Sequence, residues 1–236
     1  MIEQHAANTA WLGEPAGLVT DARFFTLSAD ERNRFLAPYA LVEFKHPLAS
    51  LPPAASLLEA GFAWVDVQIE FRIGLNRIED TPSLQELEVC FADESPFTVD
   101  DGESRPFEEE RFVELPGMTQ DALDRRYTAW ARQLIAEHPS TSLQVSHHSK
   151  PQGWFLSRPS DHGMNLLLAM LHRDATISGM LLYQKSLRAY AARGHSLGWA
   201  GFSVRNVNVH NIYARLGVRF TSPLGCWVWV RRPPPA

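Results

Sequence analysis

Residues 165–171, Asn-Leu-Leu-Leu-Ala-Met-Leu, constrain this chain more than any other stretch. A strand with so little polarity cannot leave either face in water. It belongs inside a sheet covered on both sides, which is a layered α/β architecture. The residues that follow agree. His172 to Gly179 are loop types, and Met180, Tyr183, Leu187 and Ala191 then recur at helical spacing up to Gly194. Strand, tight loop and helix start is a geometry that holds phosphate, because free N–H groups and the positive end of the helix dipole meet an anion there. The candidate contacts are the main-chain N–H groups of Ile177, Ser178 and Gly179, with Asp174 adding an opposing charge.

A second unit of the same form comes next. Leu197 to Val204 reads as a strand, and Asn206 can cap a helix through its side-chain oxygen. Val209, Ile212, Tyr213 and Leu216 mark one helix face, Gly217 supplies a left-handed stop, and Arg219-Phe220 returns to extended chain. Periodicity alone makes Tyr213 a packed core aromatic. Gly225 to Val230 closes the sheet, with Trp227 and Trp229 sharing one packed face.

Upstream, Leu41-Val42-Glu43-Phe44 alternates like a short strand, Pro52-Pro53 starts a helix over Ala54 to Ala60, and Gly61 ends it. Ala63 to Ile73 is the cleanest strand, with Asp66, Glu70 and Arg72 on the face expected to be wet. Asn76 to Pro82 is the expected boundary between an N-terminal α/β module, residues 1–77, and a larger domain, residues 78–236. Pro82 to Phe91 is expected as a helix, with Leu84, Leu87 and Phe91 on one stripe. Asp93 to Glu114 has no period and carries nine acids against Arg105 and Arg111, the signature of a solvated loop. Thr119 caps a helix from about Gln120 to His138, its stripe being Leu123, Tyr127, Trp130 and Leu134. Ser142 to His147 and Gln152 to Leu156 form a hairpin about Ser149-Lys150-Pro151. His147 and His148, as neighbours in a strand, point to opposite faces and cannot chelate together, so no metal site is expected.

The block Asn206, Tyr213, Gly217, followed by a strand, resembles the last conserved block of the GNAT N-acetyltransferase superfamily, and the preceding elements come in that family's order. The resemblance covers about residues 78–231. Asp-Ala-Arg-Phe-Phe at 21–25, Leu-Leu-Glu-Ala-Gly-Phe at 57–62 and Arg-Tyr-Thr-Ala-Trp at 126–130 further resemble the TDP-fucosamine acetyltransferase-like branch. What the family implies is a mixed, mostly antiparallel sheet, flanked by helices, whose central strands near Leu168 and Phe202 splay apart to admit acetyl-coenzyme A (acetyl-CoA). Ala169, Met170 and Leu171 would line the thioester, and Asn206 would lie beside the pantetheine arm. Tyr213 would protonate the departing thiolate. A primary amine of a small molecule, such as an amino sugar, would attack directly, without a covalent enzyme intermediate.

The family's phosphate loop has the pattern R/Q-x-x-G-x-G/A. Its positions here are Asp174, Ile177 and Gly179, of which only Gly179 fits. Two alternatives therefore stand beside acetyl transfer: an acyltransferase using an acyl-carrier protein or a longer acyl-CoA, and a non-catalytic GNAT-like binding protein. His172, Glu110 and Glu114 are the candidate bases, and a relayed water would serve equally. The acidic loop, if it overhangs the acceptor site as in the family, favours a cationic amine.

Composition narrows the partners. A net charge of −5 implies no broad nucleic-acid-binding face. No apolar run reaches the ~20 residues of a membrane span. Cys90 and Cys226 are the only cysteines, which suits a reducing cytoplasm, and Met-Ile-Glu-Gln-His has neither the basic region nor the apolar core of a secretory leader. Nothing distinguishes a monomer from a homodimer. Arg231 to Pro235 is expected as a frayed tail.

Overall fold

The computed structural model describes residues 1–113, 115 and 118–231. Among them are ten strands and seven α-helices, a mixed and mostly antiparallel α/β fold. The chain divides into two compact units: Met1–Ile69 with Ser203–Arg205 and Ser222 onward, and Glu70–Phe202 with Asn206–Thr221. The position of the expected 77/78 boundary lies inside the second unit, at the end of a 3-10 turn, Leu75–Arg77.

The first unit contains β1 (Ile2–Gln4), α1 (Ala6–Leu12), β2 (Ala16–Val19), α2 (Ala29–Leu36), β3 (Leu41–Pro47), α3 (Ala54–Glu59) and the first half of β4 (Ala63–Gly74). α2 starts in a capping box: Ser28 accepts from the Glu31 N–H while Glu31 reaches back to the Ser28 N–H. β2 runs parallel to β3 and antiparallel to β1, and β3 pairs antiparallel with residues 224–230. Phe24, Phe25, Phe44, Phe62, Leu57 and Trp227 fill its core. Two polar groups that alternation would put in water are buried instead. Glu43 accepts from Asn8 Nδ2 and faces Lys45 at 3.6 Å. Asp66 accepts from the Val67 N–H at 2.7 Å and the Ser203 hydroxyl at 2.9 Å. Arg231 is tied down: its N–H donates to the Ala40 carbonyl at 2.9 Å. The remainder of the expected tail lies outside the described residues.

The second unit continues with α4 (Pro82–Gln85), β5 (Leu87–Phe91), α5 (Gln120–Glu137), β6 (Ser142–His147), β7 (Lys150–Ser160), β8 (Gly163–Leu171), α6 (Gly179–Ala192), β9 (Leu197–Ser203) except its last residue, α7 (Val207–Arg215) and the first three residues of β10 (Arg219–Val230), whose remainder belongs to the first unit. The helix expected over Pro82 to Phe91 is a single turn followed by β5. Leu87, Val89 and Phe91 oppose His147, Val145 and Leu143 of β6, and this ladder overrides the helical spacing. The hairpin turns at His148-Ser149, both left-handed at φ 50° and 61°, so Lys150 and Pro151 already belong to β7. His148 therefore leaves the strand, and the His147 and His148 rings lie 4.0 Å apart rather than on opposite faces.

Strands β5 to β8 form an antiparallel meander. On one face, Leu143, Val145, Phe155 and Leu166 pack with Leu182, Tyr183, Leu187 and Tyr190 of α6. On the other, Trp154, Leu156, Leu168 and Met170 pack with Ala131 and Leu134 of α5, whose first turn Thr119 caps. In α6, Tyr183 and Leu187 are buried as their spacing predicts, while Met180 is only half-buried.

Candidate active site

The central geometry comes from one extra residue. Leu156 opposes Leu168 and Ser157 opposes Leu166, so Leu167 is a β-bulge in β8. A bulge bends its strand and shifts the side-chain phase by one. Met164 and Leu166 face the α6 side before it, whereas Ala169 and Leu171 face that side after it. β8 and β9 run parallel and are in register only at Met164–Gly198 and Asn165–Trp199. Beyond that point they share no further register, although both strands continue, to Leu171 and to Ser203. The sheet is open between them.

The edge of β8 that faces this opening can be read from its hydrogen bonds. The His172 N–H donates to the Gln152 carbonyl at 2.8 Å. Antiparallel alternation then turns the main-chain groups of Met170 towards β7 and those of Ala169 and Leu171 towards the gap. Of the three residues expected at the thioester, Ala169 and Leu171 thus present backbone there, while the Met170 side chain packs against α5. The end of this edge is occupied. Arg105 N–H donates to Leu171 O at 3.0 Å, Arg173 N–H donates to Glu103 O at 2.6 Å, and Ser104 bridges to His172. Residues 103–105 form a strap over the tip of β8.

Three buried tyrosines stand near this part of the sheet, and they differ. Tyr190 donates from its hydroxyl to Thr141 O at 2.8 Å and Phe155 O at 3.0 Å. Tyr213 and Tyr183 have no hydroxyl partner among the described residues. Tyr213 is 4 % exposed and lies against Phe71 at 4.0 Å, Phe202 at 5.7 Å and Tyr183 at 5.1 Å between ring centroids. Burial, with a smaller contribution from Tyr183 and Tyr190, raises its pKa well above that of an ordinary phenol, so it stays protonated through the physiological range. The Tyr213 ring is buried, yet its hydroxyl is not among the fully buried side-chain atoms that lack a partner, and the ring packs on Phe202 of β9.

Asn206 caps α7, its Oδ1 accepting from the Val209 N–H at 2.9 Å, and Gly217 is left-handed at φ 70°. Ser178 caps α6 by accepting from the Leu181 N–H. The Ile177 N–H donates to the Gln152 side-chain oxygen at 3.3 Å, and the Ile177 side chain joins the core. Gly179 sits close under Ile212, whose Cδ1 would lie 3.1 Å from an added Cβ. Beside this helix start is a cavity of about 360 Å³ lined by Ser83, Glu86, His147, Thr176 and Ser178 among others.

The candidate bases are placed unequally. Glu110 is 4 % exposed, faces Arg126 at 3.2 Å and accepts from the Phe112 N–H at 2.7 Å, so it is committed to a buried ion pair. His172 Nδ1 accepts from the Asp174 N–H at 3.1 Å. Glu114 lies outside the described residues. Much of the acidic loop is also neutralised: Asp93 and Glu94 pair with Arg193, and Asp100 and Asp101 with Arg132. Among the described residues no group of three His, Cys, Asp or Glu is placed to hold a metal ion, and no helix is long and apolar enough to cross a membrane.

Sequence reasoning missed Leu167, Gln152, Tyr183 and the strap. The one available signal was Gly153, since an isolated glycine in a strand marks a bulge or a close backbone approach.

The fold that carries this opening is similar to those of solved GCN5-related N-acetyltransferases. A GCN5-related N-acetyltransferase from Sphaerobacter thermophilus matches with a TM-score of 0.59 at 13% identity, covering 98% of this chain and 76% of that one. A tandem GNAT protein from the clavulanic acid biosynthesis pathway matches at 0.54 and 16% identity, over 94% of this chain and 77% of that one. A GCN5-related N-acetyltransferase from Kribbella flavida matches at 0.53 and 10% identity, over 91% and 80%. These identities establish likeness of fold. No protein-family model and no curated protein sequence matches the chain.

Proposed function

We propose that this protein is an N-acetyltransferase that moves an acetyl group from acetyl-CoA to a primary amine of a small molecule. The observation that carries the reading is the combination of the β8–β9 opening with the unpaired, protonated Tyr213 hydroxyl. The pantetheine arm lies in the opening. Ala169 and Leu171 offer N–H groups to the acyl chain and its carbonyl, and Asn206 flanks the arm from the start of α7.

The neutral amine attacks the thioester carbonyl carbon. The C–N bond forms, the C–S bond breaks, and the electron pair leaves on sulfur. Tyr213 donates its proton to that sulfur as general acid and recovers one from water, while the amine nitrogen loses its surplus proton to solvent. A buried phenol suits this role because it is held neutral until a thiolate develops beside it. No enzyme nucleophile takes part. Ser178 and Gly179 stand at the start of α6, the place where the resembled family holds its donor's phosphates.

The resemblance of residues 21–25 and 57–62 to the TDP-fucosamine acetyltransferase-like branch makes amino sugars the first acceptors to test. The test is thiol release from acetyl-CoA in the presence of a panel of amino sugars, polyamines and amino acids. Amine-dependent release supports the reading. Tight acetyl-CoA binding with no release across the panel favours a binding protein instead.

A further inference from the structure

Six of the seven N–H groups in the loop between β8 and α6, those of residues 172–177, have acceptors within the chain. His172 donates to Gln152 O at 2.8 Å, Arg173 to Glu103 O at 2.6 Å, Asp174 to His172 Nδ1 at 3.1 Å and Ala175 to His172 O at 3.0 Å. Thr176 and Ile177 both donate to Gln152 Oε1, at 2.8 and 3.3 Å, and the Thr176 hydroxyl adds a third contact at 3.1 Å. Six consecutive N–H groups are satisfied by the chain itself.

Gln152 is built for this contact. Val145 opposes Gly153 and Ser146 opposes Pro151, so Gln152 is the extra residue of a second bulge, in β7. The bulge turns its side chain towards the loop, where it is 3 % exposed. One amide oxygen holding two adjacent N–H groups and a hydroxyl occupies the place an anion's oxygen would take in a backbone nest. The loop's own charges, Arg173 and Asp174, are of opposite sign. The Arg105 guanidinium is spent on Ala175 O at 2.9 Å.

We propose that this protein recognises its acyl donor through the pantetheine arm, with Gln152 standing in for the donor's diphosphate, so that pantetheine thioesters lacking the nucleotide serve it about as well as CoA thioesters. This rests on the acyl-transfer reading above. It makes Gln152 a specificity-determining residue: it fills the nest that would otherwise reward a diphosphate. The donor class becomes any acylated pantetheine arm, whatever carries its far end.

The test is calorimetry on the full chain with acetyl-CoA, S-acetylpantetheine and adenosine 3′,5′-bisphosphate. Expected are dissociation constants for the two thioesters within about tenfold of one another, and no heat from the nucleotide at millimolar concentration. Acetyl-CoA binding more than about tenfold tighter overturns the inference and leaves the acyl-transfer reading standing. Silence from both thioesters overturns both. Gln152→Ala supplies the second arm. By freeing the Thr176 and Ile177 N–H groups it should tighten acetyl-CoA by about fivefold or more while S-acetylpantetheine is unchanged. An unchanged or weakened preference for acetyl-CoA removes Gln152 from donor selection. Gln152→Glu, which keeps an acceptor for the same N–H groups, should retain the wild-type ratio or lower it; a rise in acetyl-CoA preference counts against the proposal.

Discussion

The two edges of β8 are made of the same residues and behave oppositely. Towards β7 the strand is locked along its whole length, in register from Gly153–Leu171 to Ser160–Gly163 and so tight that a Cβ on Gly153 would lie 2.4 Å from Met170 O. Towards β9 it holds two residue pairs and then lets go. Hydrophobicity does not separate these edges, because Leu, Ala and Met serve both. The ladder to β9 ends at Asn165, two residues before the bulge at Leu167, where β8 leaves one residue unpaired against β7 and shifts its side-chain phase by one. A strand can thus be structural scaffold on one side and, on the proposed reading, an entry for ligand on the other.

Tyr213→Phe attacks the open edge without touching the locked one. Turnover with the true acceptor should fall about tenfold to a thousandfold while acetyl-CoA affinity barely moves. An unchanged steady-state rate takes the phenol out of the chemistry. Gly153→Ala attacks the locked edge. Because the clash is with backbone, it should destabilise the fold by about 1–3 kcal/mol in denaturant unfolding. A smaller loss would mean that the β7–β8 ladder is looser than its register implies.

The tyrosines sharpen the contrast. Tyr190→Phe strands two buried carbonyls and should cost about 1–2 kcal/mol. Tyr183→Phe removes a hydroxyl with no protein partner and should stay within about 0.5 kcal/mol of wild type. Equal losses at the two positions would show that Tyr183 has a partner in solution. Asn206→Ala removes the α7 cap and should cost about 1 kcal/mol, or a Tm drop of about 2–4 °C by calorimetry.

The smallest effect lies in the first unit and serves as a control. Arg23 holds the Asp21 carboxyl down to about 2, first by side-chain and backbone hydrogen bonds and then by its charge. A depressed carboxylate contributes stability that is complete above its unfolded value of 3.8 and is lost as pH falls towards 2. Asp21→Asn should flatten that acid limb by lowering the neutral-pH plateau slightly, as followed by circular dichroism, and leave the donor ratio alone.

Much of this fold could be read from residue patterns, because caps and periods are local. Asn206 and Thr119 cap the helices their chemistry suggested, and Gly217 takes the left-handed stop. Residues 87–91 could not be read this way. Leu84, Leu87 and Phe91 fit a helix stripe, and only pairing with β6, some fifty residues on, makes a strand of the last five. Likewise Glu43 and Asp66 look like solvent-facing positions until their distant partners, Asn8 and Ser203, are known. The proposed site rests on the block around Asn206 and Tyr213, whose cap and helix face are local features of the sequence. The hydrogen bonds that hold the β8–α6 loop could not be read from sequence, since they depend on Gln152 and a strap that only tertiary structure delivers to it.

Leu167 also sets how this protein can vary. Residues on either side of it obey opposite parity: even numbers point towards α6 as far as 166, odd numbers from 169. Losing or gaining a single codon there would send the apolar set of half a strand to the wrong helix. A descendant that lengthens the loop at 93–113 keeps every strand in register. One that shortens β8 by one residue must rebuild two cores at once.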